Sequence, residues 1–263
     1  KPDYSSLDPA NNGQGDIVDK EMWWATFDFK LATDHLFGDK DLGFMWGYQY
    51  QQADLNTITY NSDSIAAKEQ SSVKQDSGGE TQLHSGFAQL DYDFLGDFNI
   101  MAGARLDYWA ASGGHDVKKG WGGYNRSFDD REQTRVSPKA SISWAPNEFS
   151  ARYSFSRAYR FALAQELFES VSAGASKSLP DPSLGPESGN FHNLRLAYEI
   201  PEGLVSVDFF YDTKENEIMN TRKVVDGQNL STFLGIDKTE TIGVTMVYKQ
   251  DNLFDLPLDL NLN

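Results

Sequence analysis

The sequence predicts an all-β fold: an antiparallel, up-and-down β-barrel that spans a membrane, with about ten strands present in this chain. Two patterns predict this fold. Apolar and polar residues alternate in about ten separate segments, as they do in strands with one face towards lipid and the other towards water. The connections between these segments also alternate in length, as expected for hairpins that cross a membrane.

The alternation is clearest in residues 98–108. One face of this segment carries Phe98, Ile100, Ala102, Ala104, Leu106 and Tyr108, and the other carries Asn99, Gly103, Arg105 and Asp107. The remaining segments, in chain order, are 23–31, 42–51, 84–94, 135–144, 149–156, 193–200, 204–212, 240–249 and 256–263. Each is close to the roughly 9–11 residues with which a tilted strand crosses a bilayer.

The connections distinguish a membrane barrel from a soluble β-sandwich, whose strands also alternate. Short turns are centred on 37–39, 95–96, 146–147, 201–203 and 252–253, and long loops run over roughly 52–81, 111–133, 157–190 and 214–237. Outer-membrane barrels combine short periplasmic turns with long extracellular loops. A Greek-key sandwich has no reason to show this rhythm, so we expect the barrel.

Composition excludes several other classes. No run approaches the ~20 apolar residues of a membrane-spanning helix, and mean hydropathy is -0.55. The absence of cysteine excludes disulfide scaffolds and Cys-ligated zinc, and the four histidines do not show metal-ligand spacing. A formal net charge of -16 argues against a nucleic-acid partner. We therefore expect neither a resident metal nor a cofactor.

Aromatic and charged residues add two expectations. Aromatic girdles near the lipid headgroups are expected from residues at predicted strand ends, namely Trp23, Trp24, Tyr108, Trp109, Trp144 and Phe149. Mid-strand charges such as Arg105, Asp107 and Arg135 lie on the polar faces. Because a charge in a dry core is costly, these predict an interior that is aqueous or filled by a polar plug.

Several short motifs follow one another along the chain: GFAQ at 86–89 with GARLDY at 103–108, SPK at 137–139, YSFSRAYRFALAQELF at 153–168, LGPE at 184–187, and GIDK at 235–238 with GV at 243–244. In this order and spacing they resemble the β-barrel of the TonB-dependent receptors. Phe161-Ala162 departs from an apolar–proline pair of that family, and Thr245 stands where an acidic residue is common. Both departures affect subfamily placement rather than the fold.

The resemblance implies a barrel of roughly 22 strands around a plug. We therefore expect residues 1–263 to be one transmembrane barrel domain, a fragment without the N-terminal plug and the C-terminal strands. The implied function is active import of a scarce nutrient through the outer membrane of a Gram-negative bacterium. A TonB-type energy-transducing protein would bind an N-terminal box that this chain does not cover.

The ligand that the resemblance implies is a small iron chelate, a ferric siderophore, with cobalamin or another metal chelate as the alternative. Haem receptors of the family usually carry a histidine in a region that corresponds to Arg160–Leu184, and here that region has none. Haem is therefore not the expected ligand.

Ligand contacts are expected from the connection after Tyr153. There Arg157, Tyr159 and Arg160 are placed to meet an anionic or catecholate ligand. Further candidates in the other long loops, at the binding mouth, are Tyr60, Trp121 and Tyr124. The alternative is structural: these residues fix the loops or bond to the lumen wall.

Two other functions stay open on the sequence alone. A small barrel enzyme would need an acid/base set, for which His115 and Asp129-Asp130 are the candidates in one loop. A charged solvated loop explains these three residues better, so we expect no catalytic residues and no enzyme. A passive porin would suit the same strands and their polar inner faces.

Overall fold

A computed structural model of the chain describes residues 13–173, 176–225, 228–252, 258 and 260–262. The strands are β1 (Gly15–Thr33), β2 (Leu42–Ser62), β3 (Ser72–Phe94), β4 (Phe98–Lys118), β5 (Tyr124–Ser127), β6 (Arg131–Trp144), β7 (Phe149–Arg160), β8 (Val171–Ala173), β9 (Ser176–Leu179), β10 (Glu187–Ile200), β11 (Gly203–Val225), β12 (Gln228–Gln250) and β13 (Leu260–Leu262). A 3-10 turn (Leu36–Gly38) follows β1, and a short helix, α1 (Ala164–Phe168), follows β7. Within the described ranges, no helix is long and apolar enough to cross a membrane.

Nine long strands of the described chain lie side by side in the order β1, β2, β3, β4, β6, β7, β10, β11 and β12, each antiparallel to its neighbours. The short strands join this sheet: β5 pairs with β4, β13 pairs with β12, and β9 lies between β12 and β8. The sheet curves into a nearly closed barrel. Leu55 of β2 and Ile218 of β11 accordingly share one interior cluster. The antiparallel, up-and-down barrel predicted from the sequence is confirmed.

The two faces of the barrel wall differ as the alternation predicts. Ile100 and Leu106 of β4 expose 41% and 53% of their surface, whereas Asp107 exposes only 3%. Successive side chains of a strand point to opposite faces of its sheet. The apolar residues therefore form the outer surface of the barrel, and the polar residues line its interior.

The predicted extent of the long loops is wrong. β2 ends at Ser62 and β3 begins at Ser72, so strands occupy most of the predicted loop 52–81. β11 and β12 likewise continue as a ladder to the pair Val225 and Gln228. The alternation weakens in these parts because the strands have left the proposed lipid region, but backbone hydrogen bonding does not need lipid and continues. The hairpins therefore extend beyond the predicted membrane-crossing segments at the end opposite the short turns.

The predicted strand 256–263 and the predicted turn 252–253 lie mostly outside the described residues. Asn252 has a positive φ of 50°, which suits a tight turn. Residues 260–262 form β13 and pair with the end of β12.

At the short-turn end of the barrel, aromatic rings lie in a row. Centroid distances are 5.4 Å between Phe94 and Phe98, 6.2 Å between Phe98 and Trp144, and 5.8 Å between Trp144 and Phe149. Trp144 and Phe149 thus lie in a row like the girdle predicted for them.

Trp109 is a correction to the predicted girdle. Its side chain is 3% exposed and stacks on Phe161, with ring centroids 5.6 Å apart. Residue 109 falls on the inner face of β4, next to Asp107 on that face, so it cannot meet lipid. Trp24 is also on the inner side, where it lines an interior cavity.

Residues 161–173 and 176–186, called here the mouth segment, fold back into the barrel at the long-hairpin end. Their buried apolar side chains are Phe161, Ala162, Ala164, Leu167, Phe168 and Leu184. The Phe168 ring occupies space left by Gly79 of β3 and Gly114 of β4, since a Cβ at either glycine would collide with the ring. The apolar core of the described chain therefore lies inside the mouth of the barrel, where the mouth segment meets the wall.

Candidate functional site

An interior cavity of about 670 Å³ lies below the mouth segment. Tyr159, Arg160 and Phe161 line one side of it, and inner-face residues of β1 to β4, including Gln49 and Trp109, line the other. Two of the sequence-predicted site residues, Tyr159 and Arg160, therefore share one cavity. Its size is that of a small-molecule pocket.

Strand β7 carries the predicted site residues. Its last four residues, 157–160, are not paired with β6. The β6–β7 ladder runs only from Trp144–Ala151 to Lys139–Ser156. Pro138 lies directly before Lys139 in β6 and has no N–H to donate. A proline at such a position normally ends a ladder. β7 beyond Ser156 pairs only with β10, which leaves its last residues room to approach the inner face of β6.

This separation explains where Tyr159 lies. By alternation, Tyr159 continues the outward series of Tyr153 and Phe155. Its ring nevertheless packs against the interior cluster and lines the cavity. Alternation thus fails to predict the side of Tyr159, which lies beyond the end of the β6–β7 ladder and is paired only with β10.

Arg160 is held by two carboxylates. Its guanidinium donates from Nη1 and Nη2 to the two carboxylate oxygens of Glu166, at 3.0 Å each, and its Nη2 lies 2.9 Å from Oε1 of Glu187. Burial by itself would lower the pKa of Arg160, but the hydrogen bonds with both glutamates raise it above its ordinary value. The same carboxylates accept the backbone N–H groups of Leu163 and Ile218. Arg160 thus ties the start of the mouth segment to β10 and β11.

Arg157 and Tyr159 form a second arrangement, together with a residue that the site prediction missed. The Arg157 guanidinium carbon lies 5.2 Å from the centroid of the Tyr159 ring, and that of Arg135 lies 5.9 Å from the same centroid. Both distances are within the range of a cation–π contact. Sequence analysis placed Arg135 on the polar face of its strand, and only the separation of β7 brings it to Tyr159.

The other three candidates lie apart from this arrangement. Tyr60 lies on β2, paired with Ile17 and Val73. Trp121 is fully exposed in the connection between β4 and β5. Neither lines the cavity described above.

Tyr124 belongs to a hydrogen-bonded network under the mouth segment. Its hydroxyl donates to Asp116 at 3.0 Å and lies 3.2 Å from Nε2 of Gln75. Gln75 also donates to Asp116 and to the Ser170 hydroxyl, at 2.8 and 2.6 Å. Burial and the neighbouring Asp116 carboxylate raise the pKa of Tyr124. This network fastens the mouth segment to β3 and β4.

Deeper in the barrel, polar side chains connect the inner faces of four neighbouring strands. Gln49 donates to Asp28 at 2.7 Å, and Arg105 donates to Gln49 at 2.7 Å. Arg105 also pairs with Asp107 at 2.7 Å, and the Ser85 hydroxyl donates to Asp107 at 2.6 Å. The charges of Asp28, Arg105 and Asp107 are thus paired or hydrogen-bonded, which offsets the cost of placing them on the inner face.

The acid/base set considered from the sequence is not assembled. Nε2 of His115 lies 3.4 Å from Asp76, and Asp130 accepts the backbone N–H of Gly113 at 3.3 Å. Within the described part of the chain, no three His, Asp or Glu side chains are grouped closely enough to hold a metal ion. The mouth instead carries arginine and tyrosine side chains, whose N–H and O–H groups can donate hydrogen bonds.

Comparisons with known proteins agree with the fold. The family model described as "TonB dependent receptor-like, beta-barrel" matches residues 1–263. No curated protein sequence matches the chain.

Three similar solved structures illustrate the likeness. A double mutant of the hemophore receptor HasR from Serratia marcescens, in complex with HasA and heme, is 15% identical with a TM-score of 0.61, over 89% of this chain and 40% of that one. The copper transporter OprC is 14% identical with a TM-score of 0.66, over 95% of this chain and 38% of that one. The ferric yersiniabactin uptake receptor FyuA from Yersinia pestis is 14% identical with a TM-score of 0.58, over 89% of this chain and 34% of that one. At such identities the likeness concerns the fold alone, and the chain spans well under half the length of each.

Proposed function

Because the chain belongs to the TonB-dependent receptor family, whose barrel model it matches along residues 1–263, we propose that it forms part of the barrel of an active nutrient importer. The proposed location is the outer membrane of a Gram-negative bacterium. Receptors of this family are importers and not enzymes. In this proposal the chain is one barrel domain, and the plug and the remaining strands belong to the rest of the receptor.

The observation that carries the proposal is the contrast between the two faces of the wall. The outer face is apolar, and the inner face is polar with a cavity at the mouth. A wall of this kind suits a barrel that has lipid outside and a hydrophilic plug or solute inside. The mouth segment narrows the interior, which favours a receptor over an open passive pore.

The proposed ligand is a ferric siderophore, with cobalamin or another metal chelate as the alternative. The iron would arrive already chelated, so the barrel would need no metal ligands of its own. Arg157 and Tyr159 are the proposed contacts, and Arg160 is proposed to support them through the mouth segment. Tyr60, Trp121 and Tyr124 stay predictions for contacts at the mouth.

The proposed energy source is a TonB-type protein in the periplasm. It would bind an N-terminal box of the receptor by strand addition and displace the plug. Outer-membrane lipid is the other expected partner.

The test uses the full-length receptor in a Gram-negative host that lacks its own siderophore receptors. Uptake of radioactive iron is measured with a panel of ferric siderophores, with cobalamin as a separate substrate. The proposal expects uptake of at least one chelate, and loss of that uptake when the TonB-type protein is deleted. Uptake that persists without this protein would identify a passive pore, and no uptake of any chelate would contradict the proposed ligand class.

A further inference from the structure

An apolar groove of about 520 Å³ runs along the outer face of the barrel, across β2, β3 and β4. Small residues form its floor, and larger side chains form its walls. Two rows of register partners build it: Trp46, Ala88 and Ala104, and next to them Tyr48, Gly86 and Leu106. The groove therefore belongs to the surface that faces away from the interior cavity.

Gly86 makes the groove deep. A Cβ added at this position meets no atom within 4 Å, whereas the walls on either side stand out, with Trp46 43% and Leu106 53% exposed. Surfaces that leave such a space unfilled lose dispersion contacts. On a wall that faces lipid, an acyl chain is the group that fits this space.

A polar ring atom lies at the upper end of the groove. The hydroxyl of Tyr48, on one wall, lies 2.7 Å from Nδ1 of His84. When this hydroxyl donates to Nδ1, the ring proton is on Nε2. Nε2 has no hydrogen-bond partner in the described chain and is accessible at the surface. The groove therefore ends at an N–H donor that the described residues do not use.

The depth and surroundings of this donor indicate a neutral acceptor. His84 is the first residue of the predicted crossing segment 84–94, where the hydrocarbon layer meets the headgroups. The carbonyl groups that join acyl chains to a lipid headgroup lie at this depth. Tyr108, whose ring is 6.2 Å from that of His84, hydrogen-bonds to Glu132. Because this carboxylate repels a lipid phosphate, a carbonyl oxygen is the better partner.

We propose that the groove binds an acyl chain of lipid A, whose ester or amide carbonyl accepts a hydrogen bond from Nε2 of His84. The inference rests on the proposed function for its location: lipid A forms the outer leaflet of the outer membrane, and His84 lies towards the long hairpins, which face outward. The convex wall of a second barrel would meet Trp46 and Leu106 before it reached the floor. A single chain is narrow enough to lie along it.

The hydrogen bond supplies the selectivity of the site. Lipid chains are as apolar as the groove, so apolar contact alone gains little over contact with other lipids. A hydrogen bond at the edge of the hydrocarbon layer is stronger than one in water because the local dielectric constant is low. Lipid A also carries several chains on one headgroup, so that chains beside the bound one cover both walls of the groove. It should therefore bind more tightly than a two-chain phospholipid.

A second histidine provides a comparison within the same barrel. The Tyr153 hydroxyl lies 2.8 Å from Nδ1 of His192, also on the outer face. Two positions further along the strand, β10 carries Leu194, which is 39% exposed, where β3 carries Gly86. A large side chain thus takes the place of the floor, and we expect His192 to hold no acyl chain.

The experiment is native mass spectrometry of the delipidated full-length receptor, titrated with hexa-acylated lipid A or with a saturated phosphatidylethanolamine. His84→Phe keeps a ring and removes the N–H donor, and Gly86→Leu fills the groove. The matched control is His192→Phe, which removes the same group from the other cluster. Heat-modifiable migration on a gel verifies that each variant is folded, and Ala88→Leu fills the groove from the next row if Gly86→Leu does not fold.

His84→Phe is expected to weaken binding of lipid A about tenfold, as for the loss of one hydrogen bond in apolar surroundings. Gly86→Leu should weaken it at least as much, because the chain can no longer reach the floor. His192→Phe should bind lipid A like the wild type, and phosphatidylethanolamine should bind more weakly than lipid A. Chelate uptake should stay unchanged in all variants, since the groove lies outside the barrel.

Equal affinity of the wild type, His84→Phe and Gly86→Leu for lipid A would overturn the site, and so would an equal loss in His192→Phe. Equal binding of both lipids, lost together in Gly86→Leu, would overturn the choice of lipid A in favour of a phospholipid. A wild-type dimer that Gly86→Leu abolishes would overturn it in favour of a second copy of the chain. The expected lipid binding in a receptor that imports no chelate would support the site and contradict the proposed function alone.

Discussion

The hydroxyl of Tyr48 lies 2.7 Å from Nδ1 of His84 on the outer face of the barrel. The His84 ring is also close to Tyr50 on β2 and Tyr108 on β4, with centroids 4.8 and 6.2 Å away. His84 lies ten positions (94 − 84) from the end of β3 at Phe94, about the length with which a strand crosses a bilayer. The cluster therefore lies where the proposed hydrocarbon layer gives way to headgroups.

The same arrangement occurs a second time around the barrel. Tyr153 lies 2.8 Å from Nδ1 of His192, whose ring has Phe155 at 5.0 Å and Tyr211 at 6.3 Å. His192 is eight positions (200 − 192) from the end of β10. Both histidines thus lie at a similar height above the short turns.

Tyr48→Phe and Tyr153→Phe should each lower the free energy of unfolding by about 1 kcal/mol, since each leaves Nδ1 of a histidine without its partner. Urea unfolding of the full-length receptor in detergent measures this. Tyr198→Phe, on the same outer face and 52% exposed, is the control and should change little. Equal effects of all three substitutions would show that the hydrogen bond is not the cause.

Brominated lipids should quench Trp46 but not Trp109. Trp46 is 43% exposed on the outer face and Trp109 is 3% exposed inside, and quenching requires contact with the acyl chains. Single-tryptophan variants of the receptor in bilayers provide the measurement. Quenching of Trp109 comparable to that of Trp46 would mean that the two faces are assigned the wrong way round.

Leu167→Ala should destabilise the receptor by about 2–5 kcal/mol, because a fully buried leucine leaves a cavity in a packed core. Leu167 is 0% exposed in the mouth segment. Leu163→Ala, at a side chain that is 55% exposed, should cost far less. Limited proteolysis and thermal unfolding compare the two variants, and similar stabilities would argue that the mouth segment is not docked inside the barrel.

Arg160→Gln should lower stability by about 1–2 kcal/mol, because Glu166 and Glu187 then face each other without a counter-charge. We keep this magnitude small because the Arg160 side chain is 41% exposed. Adding Glu166→Gln to Arg160→Gln should recover part of the loss. A double-mutant cycle on unfolding free energies measures the coupling, and zero coupling would contradict the role of Arg160 in holding the mouth segment.

Tyr124 should make stability fall at high pH. Its pKa is raised above the ordinary 10.0 by burial and by Asp116, so the folded state holds the phenol proton more tightly than the unfolded state does. The stabilisation is therefore complete below pH about 10 and is lost as pH rises through the higher folded-state value. Unfolding free energies of the wild type and Tyr124→Phe should differ at neutral pH and converge in alkali. A constant difference across this range would contradict the linkage.

The pattern of the sequence alone determined which side chains face outward within each membrane-crossing strand. Leu106 and Asp107 are assigned to opposite faces by the geometry of a strand, which needs no tertiary information. The motifs from Gly86 onward likewise indicated the receptor family. The facing of side chains and the short motifs are both local properties of the sequence. The exposure of Leu106 and the burial of Asp107 agree with the first, and the family match agrees with the second.

Tertiary structure decided where that pattern stops applying and which residues meet. Trp109 was placed in a girdle because it adjoins the predicted strand end at Tyr108. The alternation puts residue 109 on the face of Arg105 and Asp107, but it gives no sign that β4 continues to Lys118. The contact of Tyr159 with Arg135 depends on β7 leaving β6 at Pro138 and on the mouth segment folding inward. Such contacts join residues of different strands and depend on how those strands pack. The periodicity within one strand therefore cannot predict them.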